Sequence, residues 1–367
     1  MRIVLEDGMS LQKVGGIGQV TRGIYHYLKQ HPEIEQVKMI PKNTLVKVSP
    51  VGIQRLLYIV WINSWLQYYL VRNKVDIIHF TNYLIPSVRY TKTKYVVSIH
   101  DLNAWRFPET MSGVYMQYLK LATLQAIRGS DMVFTPSETV KHEITSSFSV
   151  DENKIKSVGY PISQTFFDLS RNKTVETRDF IKQKLGITRD FILFVSTLEK
   201  RKNAITLVHA FKKIRQTMDL QLVLVGNKNN GSPEIYEFVR RNELGASVLM
   251  PGSIVGDELI CIYDMATLFV WPSLYEGFGI PVVEAMIRGI PIVASDIPVT
   301  REIAGSVAAY YNNPLDYEAL AEMILEVISN NKLKQELITR GLERSKIFSW
   351  ENVGKRYLQA YSEICKK

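Results

Sequence analysis

Two successive series of short apolar strands alternating with helices predict an α/β chain made of two doubly wound parallel-sheet domains. Two further observations point the same way. At 367 residues the chain exceeds what one hydrophobic core usually organises. A polar stretch without periodicity, from Leu169 to Arg178, separates the two series and reads as the linker. The expected division is therefore residues 1–170, residues 171–348, and a terminal helix over 349–367 that crosses back to the first domain.

The first series opens with a strand at Ile3–Leu5, a glycine loop Gly15-Gly16-Ile17-Gly18 and a helix from about Gln19 to Lys29. It continues through strands at Asp76–Phe80, Tyr95–Ile99, Asp131–Thr135 and Ile155–Val158, with a helix from about Gly113 to Arg128. The apolar stretch Leu56–Val71 contains Asn63, Ser64 and Gln67 and is bounded by Arg55 and Arg72. It falls short of the roughly 20 residues a membrane span needs. It reads as a helix packed on the sheet, the alternative being that Trp61, Trp65, Tyr68 and Tyr69 rest at a lipid surface.

The second series runs through strands at Phe191–Ser196, Gln221–Val225, Val248–Met250, Leu268–Trp271 and Ile292–Ser295. Helices are expected between them at Ala204–Met218, Pro233–Asn242, Asp257–Ala266 and Pro281–Arg288. Two helices with charged faces, Tyr317–Asn330 and Leu333–Phe348, precede the terminal one.

Composition narrows the class. With 46% hydrophobic and 22% charged residues the chain is globular, and its formal net charge is +9. Residues 1–170 hold 19 Lys and Arg against 13 Asp and Glu, so the excess leans to the first half. That balance serves solubility, or attracts a phosphate-bearing substrate or an acidic membrane surface. No basic module interleaved with aromatics indicates nucleic acid. Cys261 and Cys365 match neither a metal nor a redox spacing, and the chain opens directly on the strand pattern Met1–Leu5, so a cytoplasmic protein without a signal peptide is expected.

Chemistry concentrates at strand ends, where parallel sheets bind ligands. The stretch Ser273-Leu274-Tyr275-Glu276-Gly277-Phe278-Gly279-Ile280-Pro281 follows one strand and opens a helix that carries Glu284. Two glycines let a ligand approach the backbone, the helix start offers free N–H groups, and two carboxylates can accept from hydroxyls. The basic run Lys200-Arg201-Lys202 follows another strand, where Arg201 can bridge two phosphate oxygens and Lys202 can supply a point charge. His100-Asp101 ends a third. Gly16 and Gly18 are a weak dinucleotide signal, because Thr21 stands at the third glycine position. No Asp-x-Asp pair occurs, and no metal is implied.

Taken together these motifs resemble the retaining, family 4 glycosyltransferases of the GT-B fold. The resemblance covers nearly the whole chain: Gly15–Gly18, His100-Asp101-Leu102 with Phe107-Pro108-Glu109, Thr197–Asn203, Pro251-Gly252-Ser253, Ser273–Met286 and Phe348-Ser349-Trp350. It is most similar to bacterial mannosyltransferases that build O-antigen or other surface polysaccharide. The resemblance implies two Rossmann-like domains facing across a cleft, the second holding the nucleotide sugar and the first the acceptor. It implies Glu284 on the ribose, Arg201 and Lys202 on the diphosphate, and Glu276 with Gly277, Phe278, Gly279 and Ile280 on the donor sugar. His100 is expected to reach that sugar from the first domain, Gly16 and Gly18 to flank the diphosphate, and Ser253 to lie near the base. Many relatives place an arginine near Thr197; here Arg201 has to supply that charge. The implied donor is GDP-mannose, a UDP-sugar being the alternative. The implied acceptor is a saccharide or polyprenyl-linked oligosaccharide, with peripheral membrane contact and no separate cofactor. A sugar-nucleotide 2-epimerase shares the architecture and stays open as a second reading. A non-catalytic binding protein would lose Glu276 or the basic run, and both are present.

Overall fold

The computed structural model describes residues 1–7, 16–41, 51–168 and 174–366. They form two compact units, Met1–Pro161 with Trp350–Lys367, and Ile162–Ser349. The division thus falls ahead of the polar stretch once read as the linker. Residues 169–173 of that stretch lie outside the described residues, and Val175–Leu185 is helical. Thr174 caps that helix by accepting from the Thr177 amide (3.3 Å), and left-handed Gly186 ends it.

The first unit holds six strands: β1 (Arg2–Asp7), β2 (Gln36–Pro41), β3 (Ile77–Phe80), β4 (Lys94–Ser98), β5 (Met132–Thr135) and β6 (Ile155–Ser157). All pair in parallel, in the order β2-β1-β3-β4-β5-β6. The second unit repeats the plan with β7 (Phe191–Val195), β8 (Gln221–Val225), β9 (Val248–Gly252), β10 (Leu268–Trp271), β11 (Ile292–Ser295) and β12 (Ala308–Tyr311), in the order β12-β11-β10-β7-β8-β9. Strands β3, β5, β8, β10 and β11 are buried at every residue, as sheets covered by helices on both faces require. The chain reverses its direction across the second sheet between β7 and β10, and the site is built at that switch point.

Two strands were not legible in the sequence, β2 and β12, and both are sheet edges. Edge strands pack on fewer neighbours, so Gln36–Pro41 alternates polar and apolar residues and Ala308–Tyr311 is only half apolar-buried. The glycine loop expected over residues 15–18 is also revised. Helix α1 (Gly16–Gln30) already includes Gly16 and Gly18, while Gly15 lies outside the described residues. The apolar helix is broken in two, α2 (Val51–Asn63) and α3 (Trp65–Arg72). Asn63 Nδ2 donates to the Ile59 carbonyl (2.8 Å) and Ser64 Oγ to that of Val60 (2.6 Å), so polar side chains compete with the helical ladder at the break. The closing helix α4 (Trp350–Lys366) packs into the first unit against α1.

Candidate active site

At the switch point the chain leaves β7, makes a tight turn over Lys200–Lys202 and enters the helix Ala204–Ile214 through Asn203, a non-glycine residue in the left-handed region (φ 56°). Asn203 is held there because its side chain joins three segments. Its Nδ2 donates to the carbonyls of Pro272 (3.0 Å) and Pro314 (2.7 Å), and its Oδ1 accepts from Thr206 Oγ1 (2.8 Å). The Leu274 amide donates to the Arg201 carbonyl (2.8 Å). The basic turn is thereby clamped to the segment leaving β10, and four hydrogen bonds fix what a surface loop would leave free.

The clamp brings Lys202 and Glu276 together. Lys202 Nζ donates to both carboxylate oxygens, at 2.6 and 2.7 Å, and lies 5.2 Å from the centre of the Trp271 ring. Both residues are buried, at 8% and 5% exposure. Ser273 Oγ donates to the same carboxylate (2.8 Å), and Arg201 approaches it at 3.4 Å while also pairing with Glu199 (2.9 Å) and the Tyr275 carbonyl (3.2 Å). Burial works against ionising Glu276, but the Lys202 and Arg201 charges outweigh it and hold the carboxyl below its ordinary value. Burial likewise draws the Lys202 ammonium down from its usual value, with Glu276 opposing. Arg201, Lys202 and Glu276, named from two distant motifs, form one charge cluster.

The glycine stretch then turns into a helix, Ile280–Ile287. Gly279 sits before it at φ 99°, a conformation that excludes side chains, whereas Gly277 does not adopt positive φ. Phe278 is buried edge-on against Phe348, and Pro281 takes a first-turn position where its missing N–H is harmless. Ile280 is half-buried at the helix start. Glu284 stands in the second turn of this helix and is a buried residue, 7% exposed. Its Oε2 accepts from Tyr263 Oη (2.9 Å), and Val282, Val283, Ala285, Met286 and Ile287 around it are all buried. Burial raises its pKa to about 7, only partly offset by the Tyr263 hydrogen bond.

Other expected residues lie at strand ends of their own sheets. Ser253 is exposed just after β9. In the first unit Gly16 and Gly18 open α1, and Gly18 is buried. His100 follows β4 with both ring nitrogens engaged: Nε2 with the Thr81 carbonyl (2.7 Å) and Nδ1 with Tyr160 Oη. Since a carbonyl only accepts, Nε2 carries the proton and Nδ1 receives one from the tyrosine. Burial lowers the pKa of His100, which favours this neutral form. Ser273 and Asn203, given no role of their own within their motifs, and Trp271 and Tyr263, which carry no functional signal in the sequence, complete the cluster. Their types are common in cores, and only contact reveals their role. Among the described residues no three His, Cys, Asp or Glu side chains gather as a metal-binding group.

Two family models fit this arrangement. "Glycosyl transferases group 1" matches residues 177–344 and "Glycosyltransferase Family 4" matches residues 20–162, one on each unit. The chain belongs to these glycosyltransferases. The glycosyltransferase is 26% identical over 299 residues to O-antigen chain mannosyltransferase B of Escherichia coli, an alignment covering 80% of this chain and 76% of the relative. It spans only 28–29% of the length of other E. coli relatives, the serotype-specific mannosyltransferases WbdA. Sucrose-phosphate synthase from Thermosynechococcus elongatus superimposes with a TM-score of 0.79 at 18% identity, over 99% of both chains. HepE of Anabaena in complex with UDP-glucose does so with a TM-score of 0.76 at 17% identity, over 99% of this chain and all of that one. The fold of the glycosyltransferase is GT-B.

Proposed function

We propose that this glycosyltransferase transfers mannose from GDP-mannose, with retention at the anomeric carbon, to a saccharide or lipid-linked oligosaccharide in surface-polysaccharide synthesis. One observation carries the reading: Lys202, Arg201 and Glu276 converge at the switch point of the second sheet, beside the glycine-led helix that bears Glu284. Cations there suit a leaving diphosphate, whose negative charge grows as the glycosidic bond breaks. The 26% identity with an O-antigen mannosyltransferase supports mannose as the sugar.

In this reading the Lys202–Glu276 pair is a resting state. The donor's diphosphate takes over part of the Lys202 ammonium, and the released Glu276 oxygens accept from sugar hydroxyls. Glu284, once ionised, accepts from the ribose. Gly277, Phe278, Gly279 and Ile280 present their backbone to the donor, and Ser253 lies toward the base. Gly16, Gly18 and His100 belong to the first unit and are assigned to the diphosphate and sugar by family resemblance. No protein carboxylate is assigned as general base; the leaving phosphate takes the acceptor proton. The nucleotide sugar is the co-substrate, and no further cofactor is invoked.

A UDP-sugar donor is the second reading, favoured by the fold likeness to HepE, solved with UDP-glucose. Thermal-shift measurements with GDP, UDP and their sugars separate the two, since a ligand that binds only the folded state raises its melting temperature. GDP and GDP-mannose are expected to shift the midpoint; a shift with uridine nucleotides alone transfers the assignment to the second reading. Incubation with donor alone tests the epimerase, which yields an isomerised sugar without acceptor.

A further inference from the structure

A second acid stands at the basic turn. Glu199 precedes Lys200–Lys202 in the cap position, yet its side chain makes no capping hydrogen bond. The bond it does make is to a guanidinium. Glu199 Oε2 accepts from Arg201 Nε at 2.9 Å, shorter than the 3.4 Å between Arg201 and Glu276. The backbone holds the acid in place from both sides. The Leu198 amide donates to the Asn227 carbonyl (2.9 Å), the Lys200 amide to Asn230 Oδ1 (2.9 Å), and the Glu199 amide to the Thr197 carbonyl (2.8 Å). Gly231 lies against the same peptide, since a Cβ built there would fall 3.0 Å from the Glu199 carbonyl carbon.

A guanidinium is planar and rigid, so fixing two of its nitrogens sets the direction of the whole fork. Arg201 is fixed in that way, at Nε by Glu199 and at Nη1 by the Tyr275 carbonyl (3.2 Å). Glu276 is a poor substitute for Glu199 in this hold. Both of its oxygens take Lys202, at 2.6 and 2.7 Å, and one also takes Ser273 Oγ (2.8 Å). Glu199, Arg201, Lys202 and Glu276 are two anions and two cations, so their formal charges cancel. With little net charge to attract it, a diphosphate has to be held by the direction of charge-assisted hydrogen bonds.

We infer that Glu199 is a positioning residue for diphosphate recognition, fixing the guanidinium plane so that Arg201 meets the nucleotide instead of closing on Glu276. The inference rests on the reading of Arg201 as a diphosphate ligand. Once the donor draws Lys202 away, Glu276 is open to new partners. An untethered Arg201 would then take that carboxylate, and both the diphosphate and the sugar hydroxyls would lose a partner. The tether keeps the two functions on separate side chains.

Titration calorimetry with GDP and with UDP tests it on wild type, E199A, E199Q, R201A and E199A/R201A. E199A should weaken the nucleoside diphosphate that wild type binds on the order of 10-fold, and R201A by at least as much. The double variant should lose no more than R201A, because Glu199 acts through the arginine. E199Q keeps an oxygen for Nε and should recover most of the affinity, which a role in the backbone turn alone would not produce. Glu199 is partly exposed, and an unaltered circular-dichroism melt verifies the fold of its variants. Binding of neither nucleotide by wild type, or undiminished affinity in R201A, overturns the diphosphate reading and the inference together. A loss in R201A with none in E199A, additive losses in the double variant, or no recovery in E199Q overturns the inference alone.

Discussion

Glu284 has a carboxyl drawn up to about 7 by burial among aliphatic neighbours, with Tyr263 as its hydrogen-bond donor. Its folded value lies above the ordinary carboxyl value of 4.5, so the folded chain holds a proton that the unfolded chain releases. The stability this contributes is complete below about pH 4.5 and is lost as pH rises through about 7. The Glu284→Gln variant is therefore expected to melt higher than wild type at about pH 8, by an amount that vanishes toward pH 5, while nucleotide affinity falls. Melting curves across that range check the first part, and titration calorimetry the second. Lys202 demands a paired experiment. Lys202→Met strands the buried Glu276 charge and should destabilise the protein by about 3 kcal/mol. Adding Glu276→Gln should restore the melting temperature but leave transfer depressed by about 10²-fold or more. Recovery of both stability and turnover would make the pair a structural one.

At the scale of elements, α1 and α4 pack through glycines. A Cβ built on Gly23 would fall 1.6 Å from the Trp350 ring, and one on Gly354 would fall 2.6 Å from that of Tyr27. Each helix thus presents a glycine to an aromatic ring of the other, and neither ring can be displaced by a small adjustment. Gly23→Ala is expected to destabilise the first unit by about 1–3 kcal/mol, readable by urea denaturation, although alanine favours helix over glycine. Neither contact was legible in the sequence, because a glycine in a helix looks the same whether it faces a ring or water. Strands at the centre of each sheet were legible for the opposite reason. Leu222–Val225, Leu268–Trp271 and Ile292–Ala294 are continuous apolar runs in strands buried at every residue, whereas the edges β2 and β12 lack that signal.

At the scale of the molecule, each unit carries its own response to acid. In the first, His79 is wholly buried, with Nδ1 hydrogen-bonded to Tyr361 Oη (2.7 Å) and Nε2 to Ser98 Oγ (2.8 Å). Burial lowers its pKa from 6.5 to about 3. The unfolded chain then takes up the proton first, so stability present above about pH 6.5 is lost as pH falls toward 3. Calorimetry at about pH 7 and pH 5 should show the acid-induced drop in the first unit's transition shrink in a His79→Gln variant. Glu284 works with the opposite sign in the second unit over part of the same range. Tyr361 reaches His79 from α4, so a helix distant in sequence decides the environment of a strand residue.

The sequence by itself determined the class of fold, the doubled plan of strands and helices, and the family, since these rest on local periodicity and on motifs a few residues long. It also named Arg201, Lys202, Glu276 and Glu284, because charged residues and glycines at strand ends are conspicuous. Tertiary structure alone decided what those groups are to one another. Glu276 and Lys202 lie 74 residues apart and share two hydrogen bonds because β7 and β10 are neighbours. Glu284 is a buried acid because its helix lies on the core, and no spacing in the chain records how much water a carboxyl keeps.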